Sequence, residues 1–372
     1  MRIALVHDWL TGMRGGERVL HEIAGLFPDA DLYTLIHVPG ASSERIDRMR
    51  LHTSPLSSLP GVARHYRWLL PLFPPAIERF RLDGYDLVLS ISHAFAKGIR
   101  CAPGTPHLCY CLTPMRYIWD QREAYLGRGL RRVLAMPLAT WLRRWDRRTS
   151  GPERVTRFVA ISRTVAERIE RHYGRKAHVV HPPVDVERIR PPDASREPFY
   201  LLVGGFVPYK REDLALAAFA RLGRPLLVVG DGPARHRLER GAPSNVRFLG
   251  RIPDNELTRL YARCRALIYP QEEDFGLVAV EAQAAGTPVI AFGHGGASDT
   301  VVPLGAPGTP APTGVFFAPQ TPTALADAVH RFESLEAQFD PKAIRAHAER
   351  FATPRFAREL TAEVGSLVAL RD

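Results

Sequence analysis

Residues 266–291 read as one strand–helix–strand unit, and that unit commits the chain to a parallel sheet. The apolar run Ala266-Leu267-Ile268 closes at Tyr269-Pro270, and Phe275-Gly276 opens a segment rich in Ala, Leu, Val and Glu. Gly286-Thr287-Pro288 ends that segment before Val289-Ile290-Ala291. A short apolar run, then helix formers, then glycine and a β-branched run is the pattern of a β–α–β crossover. Ligands of such sheets bind at the carboxyl ends of the strands. Glu273 falls at that end, in the loop before the helix. The opening N–H groups of the helix, near Phe275, Gly276, Leu277 and Val278, would favour a phosphate. Glu281 follows eight residues after Glu273. That is ~12 Å of rise if the interval were helical, too far for a close acid–base pair of carboxylates. Either they are a surface Glu and a helix-solvating Glu, or they hold different parts of one long ligand: a Glu on a nucleotide site can accept ribose hydroxyls, and a Glu in the loop can accept hydroxyls of a sugar beyond the diphosphate.

The same alternation runs through the whole chain twice, so an α/β protein of two doubly wound halves is expected. Ile3–Val6 reads as a buried strand, His7–Gly16 as a loop and Glu17–Leu26 as a helix. Strands are then expected at 32–36, 86–90, 107–112 and 156–161, with Ser162 capping a helix that ends at Tyr173. His181-Pro182-Pro183-Val184-Asp185 is a stiff proline-set crossing. It divides the 372 residues into a domain 1–182 and a domain 183–353, with the helical segment 354–372 returning to the first. In the second domain, strands are expected at 199–203 and 226–229, Val246–Pro253 carries a strand and a loop, Asp254 caps a helix, and 303–313 is a Pro- and Gly-rich loop.

Net charge is +11, which calls for an acidic partner: nucleic acid, anionic lipid or a phosphorylated substrate. Two stretches mix basic and aromatic residues, 55–82 and Leu126–Arg148. The second interleaves Arg128, Arg131, Arg132, Arg143, Arg144, Arg147 and Arg148 with Leu130, Val133, Leu134, Leu138, Trp141 and Trp145. Such a mixture suits an interfacial helix on anionic lipid or a solvated helix packed on its domain. No recognised RNA-binding module is present. The four cysteines, Cys101, Cys109, Cys111 and Cys264, lack metal-ligand spacing and read as buried free thiols, which fits a reducing cytoplasm. No apolar run of about 18 residues occurs, so the protein is not expected to be integral to a membrane. Gly15 and Gly16 before a helix suit a phosphate approach, yet Gly12-x-x-Gly15-Gly16 lacks the Gly-x-Gly of a dinucleotide site, which disfavours nicotinamide.

Glu273, seven residues and Glu281, with Phe-Gly after the first and Gly-Thr-Pro-Val-Ile after the second, resemble the signature of retaining glycosyltransferases of family 4. Ser92-His93-Ala94-Phe95-Ala96-Lys97-Gly98 and Thr113-Pro114-Met115-Arg116-Tyr117-Ile118-Trp119-Asp120 resemble the bacterial mannosyltransferases of that family that build lipopolysaccharide and exopolysaccharide. The resemblance covers essentially the whole chain and is strongest over 199–292. It implies the GT-B fold, two Rossmann-like domains facing a cleft, with a nucleoside diphosphate hexose as donor, GDP-mannose in the first instance, and a lipid-linked or polysaccharide acceptor.

By the same resemblance, Glu281 binds ribose, Glu273 positions the donor sugar, and Lys210, in Pro208-Tyr209-Lys210-Arg211, neutralises the leaving diphosphate with the amides of Phe275–Val278. Backbone of Arg251-Ile252 meets the base, and Gly15 and Gly16 meet the donor phosphates. His93 contacts the donor sugar, Asp8 lines the same wall, and Arg116, Tyr117, Trp119 and Asp120 border the acceptor. No protein general base is implied if the leaving phosphate takes the acceptor's proton. Neither cofactor nor metal is implied, and Asp29-Ala30-Asp31 reads as a turn that starts a strand rather than a metal site. One position departs from the family: Gly205 stands where an Arg is usual, leaving the diphosphate to Lys210 and backbone, or to Lys210 with Arg211. The enzyme is then placed in the cytoplasm, on the inner face of the membrane, with no nucleic acid partner. A sugar-nucleotide epimerase, or a noncatalytic RNA- or lipid-binding protein, are the rival readings.

Overall fold

The computed structural model describes residues 1–121, 130–191, 196–305 and 311–369, the side chains of 130–134 excepted. The chain divides into two compact units, Met1–Pro183 together with the segment from Phe356, and Val184–Arg355.

The first unit is built on seven parallel strands: β1 (Ile3–Leu10), β2 (Asp31–His37), β3 (Arg50–Thr53), β4 (Leu87–Ser92), β5 (His107–Cys111), β6 (Arg157–Ala160) and β7 (Ala177–Val179). Their order is β3-β2-β1-β4-β5-β6-β7. The second unit has six parallel strands: β8 (Tyr200–Gly204), β9 (Leu226–Gly230), β10 (Val246–Gly250), β11 (Leu267–Tyr269), β12 (Val289–Phe292) and β13 (Gly314–Phe317), in the order β10-β9-β8-β11-β12-β13. Each sheet thus winds outward in both directions from its first strand. The order reverses between β1 and β4 in one and between β8 and β11 in the other, and the loops leaving those strands part to open a crevice.

Helices cover the sheets because their apolar positions recur at helical spacing. Helix α1 (Gly15–Leu26) buries Val19, Leu20 and Ile23. Helix α2 (Leu130–Arg148) buries Leu142 and Trp145 in the first core. Helix α3 (Arg163–Tyr173) starts where the Ser162 hydroxyl accepts from Val165 N at 3.1 Å. In the second unit α4 (Glu212–Leu222), α5 (Asp254–Arg263), α6 (Leu277–Ala284), α7 (Pro322–Ser334) and α8 (Pro341–Glu349) follow. Helix α9 (Thr353–Val368) packs Phe356 edge-on against Tyr110, and Glu363 takes ion pairs from Arg157 at 2.9 Å and His178 at 2.8 Å.

Several expectations change. Strand β1 continues through His7, Asp8, Trp9 and Leu10, which the sequence reads as loop. Polar residues signal a loop only when nothing satisfies them; here His7 Nδ1 bonds Ile91 O at 3.0 Å and the turn after β4 satisfies Asp8. Asp254 does not cap α5: it is the first helical residue, and its carboxylate takes Arg188 at 2.9 Å. Cys101 is only half-buried, whereas Cys109, Cys111 and Cys264 are buried, and all four are free thiols. Asp31 accepts from the Tyr85 hydroxyl at 2.6 Å and pairs with Arg50 at 3.1 Å, tying β2 to its neighbours, while Asp29 is exposed.

Of the two basic–aromatic stretches, Leu126 and Arg128 lie outside the described residues, as do the side chains of Leu130, Arg131, Arg132, Val133 and Leu134. Tyr66, Phe73 and Ile77 are core, whereas Trp68 is 83% exposed and Leu59, Leu72, Met136 and Trp141 also reach solvent. Arg143 donates to Ile118 O and Arg148 pairs with Glu78. Among the described residues no helix is long and apolar enough to cross a membrane.

Candidate active site

The second unit gathers its candidate residues at the β8/β11 reversal. Loop 204–211 leaves β8, and a turn leaves β9 beside it. Any Cβ on Gly230 would collide with Gly204 O, and one on Gly232 would lie 2.5 Å from Gly205 O, so the two loops touch backbone to backbone. Lys210 closes a single 3₁₀ turn, Pro208–Lys210. Its ammonium pairs with Glu273 Oε1, and Tyr269 at the end of β11 donates its hydroxyl to Glu273 Oε2 at 2.7 Å. Gly296 N donates to Glu273 O at 2.7 Å, which pins the loop from beneath.

Gly276 then turns the chain into α6 with φ +96; a side chain there would come within 2.6 Å of the Tyr269 hydroxyl. The first intrahelical donor is Ala279 N, to Gly276 O at 2.9 Å, so the amides of Gly276, Leu277 and Val278 make up the opening turn. Glu281, on the second turn, is nearly buried and accepts from Tyr261 OH at 2.9 Å. The Phe275 ring packs on Phe351 in the core. Its side chain is therefore structural, and only its backbone is available to a ligand.

Arg211 adopts a left-handed φ of +55, and its guanidinium bonds Gln320 Oε1 at 2.9 Å and Asp213 at 3.3 Å. Gln320 in turn donates to Pro270 O at 2.8 Å. Arg211 thus braces the loop against β11 instead of lying beside Lys210. A Cβ at Gly205 would meet nothing within 4 Å. Arg251 is largely exposed, 3.9 Å from Asp231, and Ile252 is exposed only in part.

In the first unit the reversal lies between β1 and β4, and there Asp8 and His93 meet. Asp8 is fully buried; its carboxylate accepts the backbone N–H groups of His93 (2.8 Å), Ala94 (3.1 Å), Phe95 and Ala96 (2.8 Å), and His93 Nδ1 lies 3.0 Å away. The resemblance implies that Asp8 lines the wall. It stands behind that wall, because five donors converge on its two oxygens. Its part is to hold the turn together and to fix the His93 ring beside it. The His93 ring stands edge-on to Trp9 at 4.7 Å. His7 lies fully buried behind it, and burial lowers its pKa, which keeps it neutral. Gly15 and Gly16 open α1, and a Cβ at Gly16 would sit 3.0 Å from Leu112.

The proposed acceptor residues are bound into the scaffold. Trp119 donates to Asp146 at 2.7 Å and stacks on His172, and Asp120 accepts from His172 at 3.0 Å. Asp146 also holds Lys97, buried with it. Trp119 and Asp120 therefore anchor α2 and α3, while Arg116 and Tyr117 are half-buried beside them. Sequence reasoning missed Tyr269, Gln320, Tyr261, Glu212 and the Gly295-Gly296 support. Tyr269 was within reach, being the last residue of a strand at the ligand-binding end, but Gln320 lies 50 residues from the Pro270 it holds and no local pattern connects them.

The site chemistry is that of an anion receptor joined to a hydroxyl receptor: one ammonium, an opening helical turn and two oriented carboxylates. Residues 13–188 match the domain described as Glycosyltransferase Family 4, and residues 185–350 match Glycosyl transferases group 1. A D-inositol 3-phosphate glycosyltransferase of Mycobacterium marinum is 35% identical over 150 residues, 34% of this chain and 32% of that protein, so the matched stretch is about a third of the relative's length. Among solved structures, the sucrose-phosphate synthase of Thermosynechococcus elongatus superposes with a TM-score of 0.73 at 21% identity, covering 100% of both chains. Anabaena HepE in complex with UDP superposes at 0.71 with 16% identity, covering 98% of this chain and 100% of that one, and it has also been solved with UDP-glucose. At those identities the structures speak for the fold alone. With two parallel sheets of matching topology and a matched domain in each half, the chain belongs to the GT-B glycosyltransferases, a Family 4 domain followed by a group 1 domain.

Proposed function

We propose that this protein is a retaining glycosyltransferase that moves a hexose from a nucleoside diphosphate sugar to a lipid-linked or polysaccharide acceptor in cell-surface glycan synthesis. The observation that carries the reading is the cluster of Lys210, Glu273 and Tyr269 at the mouth of α6, with Glu281 one turn inside it. In this reading the Lys210 ammonium and the Gly276–Val278 amides take the diphosphate, Glu273 takes sugar hydroxyls, and Glu281 takes the ribose. As the bond to the anomeric carbon breaks, charge builds on the leaving phosphate, where Lys210 and the amides stabilise it. That phosphate accepts the acceptor's proton, and the acceptor oxygen bonds the same face of the carbon. His93, steered by Asp8, contacts the donor sugar. Neither cofactor nor metal enters this route.

GDP-mannose is the preferred donor, on the strength of the blocks Ser92–Gly98 and Thr113–Asp120. A UDP-sugar is the second reading, favoured by the UDP and UDP-glucose complexes of the HepE neighbour. A phosphate-bearing acceptor would agree with the net charge of +11 and with the matched inositol phosphate enzyme. Exposed Trp68, Leu72, Met136 and Trp141, with exposed Arg64, Arg67 and Arg144 in the same segments, support docking on anionic lipid at the cytoplasmic face.

The test is thermal stability with GDP, GDP-mannose, UDP and UDP-glucose in turn, repeated on Glu281→Ala. A ligand at ~100 times its dissociation constant stabilises by ~2.7 kcal/mol. A guanine-specific shift abolished in the variant supports GDP-mannose, and a uridine-specific one supports the second reading. No shift with any nucleotide refutes the donor site.

A further inference from the structure

Glu212 is a buried carboxyl that the scheme above leaves unused. It is the first residue of α4, directly after Lys210 and Arg211, and only 4% exposed. Its Oε1 has no hydrogen-bond partner among the described residues, and a Cβ on Gly204 would approach that oxygen to 2.9 Å. The carboxyl is thus sealed behind the β8 loop. Burial costs a carboxylate far more than a neutral acid.

The groups around it come from three elements. Lys210 and Asp213 lie on its own loop and helix, and Glu273 comes from the loop after β11; all three act on it electrostatically. Arg211 is committed to Gln320 and Asp213. Asp231, in the turn packed on Gly204 and Gly205, is 3.9 Å from Arg251 and 4.0 Å from Arg235.

We propose that Glu212 is a positioning residue of the donor site: through its charge, the sealed carboxyl sets how freely Lys210 can serve an incoming dianion. The inference rests on the donor-site reading given above. With Glu212 neutral, Lys210 balances Glu273 alone. With Glu212 ionised, one ammonium faces two carboxylates and the trio carries a net negative charge, which repels a diphosphate. Burial, the largest influence, raises the Glu212 pKa to about 7, with Asp213 and Glu273 adding to the rise and its own backbone N–H and Lys210 opposing it. The switch therefore falls at working pH. Donor binding draws a proton from solvent onto the carboxyl; no other bond changes.

The experiment is calorimetric titration of the full chain with GDP-mannose and with UDP-glucose. In each the diphosphate is esterified at both ends and holds its charge across the range, unlike a terminal phosphate, which titrates near pH 6. With a donor-induced rise of one pKa unit, the wild-type dissociation constant weakens about fivefold from pH 6 to pH 8, and binding at pH 7.5 takes up about half a proton, read from two buffers of different ionisation enthalpy. Glu212→Gln is expected to flatten that profile, abolish the uptake and bind at pH 8 as the wild type binds at pH 6. A role confined to packing would lower the melting temperature and leave the profile intact. An unchanged profile in a folded Glu212→Gln, or no proton uptake by the wild type, overturns the proposal while leaving the donor site standing. Absence of binding by the wild type to either nucleotide sugar overturns both.

Discussion

Replacing Asp8 by Ala separates architecture from chemistry in the first unit. The carboxylate accepts four backbone N–H groups, of His93, Ala94, Phe95 and Ala96, in a fully buried position. Alanine leaves those donors facing a cavity. Each buried donor left unsatisfied costs about 1–3 kcal/mol, so even with partial rehydration the loss is about 4–8 kcal/mol. That is a large share of the about 5–15 kcal/mol by which a domain is stable. For a unit of this size each kcal/mol moves the midpoint by about 2–4 °C, which predicts a drop of at least about 8 °C.

His93→Ala, by contrast, removes one hydrogen bond from a side chain that is 28% exposed, a loss of about 1 kcal/mol. The assay is differential scanning calorimetry with hydrogen exchange at amides 93–96, read beside glycosyl transfer. Asp8→Ala should lose protection at all four amides and melt early. His93→Ala should melt near the wild type and lose transfer. An Asp8→Ala protein that melts within about 3 °C of the wild type, with amides 93–96 still protected, would refute the account of Asp8 as the residue that holds this turn.

Two further outcomes are expected. Gly205→Arg enters open space and should add one charge-assisted contact to the diphosphate, tightening nucleoside diphosphate binding by about tenfold or more in calorimetry; unchanged affinity would show that the diphosphate does not pass that position. His107 is fully buried, 2.7 Å from both Arg154 O and Ser90 Oγ, and burial takes its pKa from the ordinary 6.5 to about 4. The unfolded chain therefore takes up the proton first as pH falls, so the stability tied to His107 is full above pH 6.5 and drains away towards pH 4. Between pH 7 and pH 4.5 the wild type should lose about 2.5 kcal/mol more than His107→Asn in urea unfolding, and equal losses would count against a buried neutral imidazole.

Local patterns carried much of this protein. The β11–α6–β12 crossover was readable from Ala266 to Ala291 because strand and helix periods, the Gly286 stop and the proline after it all act within a few residues. The Ser162 cap of α3 is equally local. The extension of β1 was not, since His7 and Asp8 look like loop until the turn after β4 arrives to satisfy them. Trp119 and Asp120 carried a motif, but their partners Asp146 and His172 lie on helices that the motif does not mention.

The sequence by itself determined the fold class and placed Lys210 and Glu273 in loops that follow strands of one parallel sheet, because alternation and chain order decide which loops leave the same edge. Tertiary structure alone decided what each of those residues does. It paired Lys210 with Glu273, put Asp8 behind His93, turned Arg211 away towards Gln320, and sealed Glu212 behind Gly204. A side chain's charge and reach are set by the groups packed around it, and those groups come from segments far apart in the chain, beyond what any local pattern encodes.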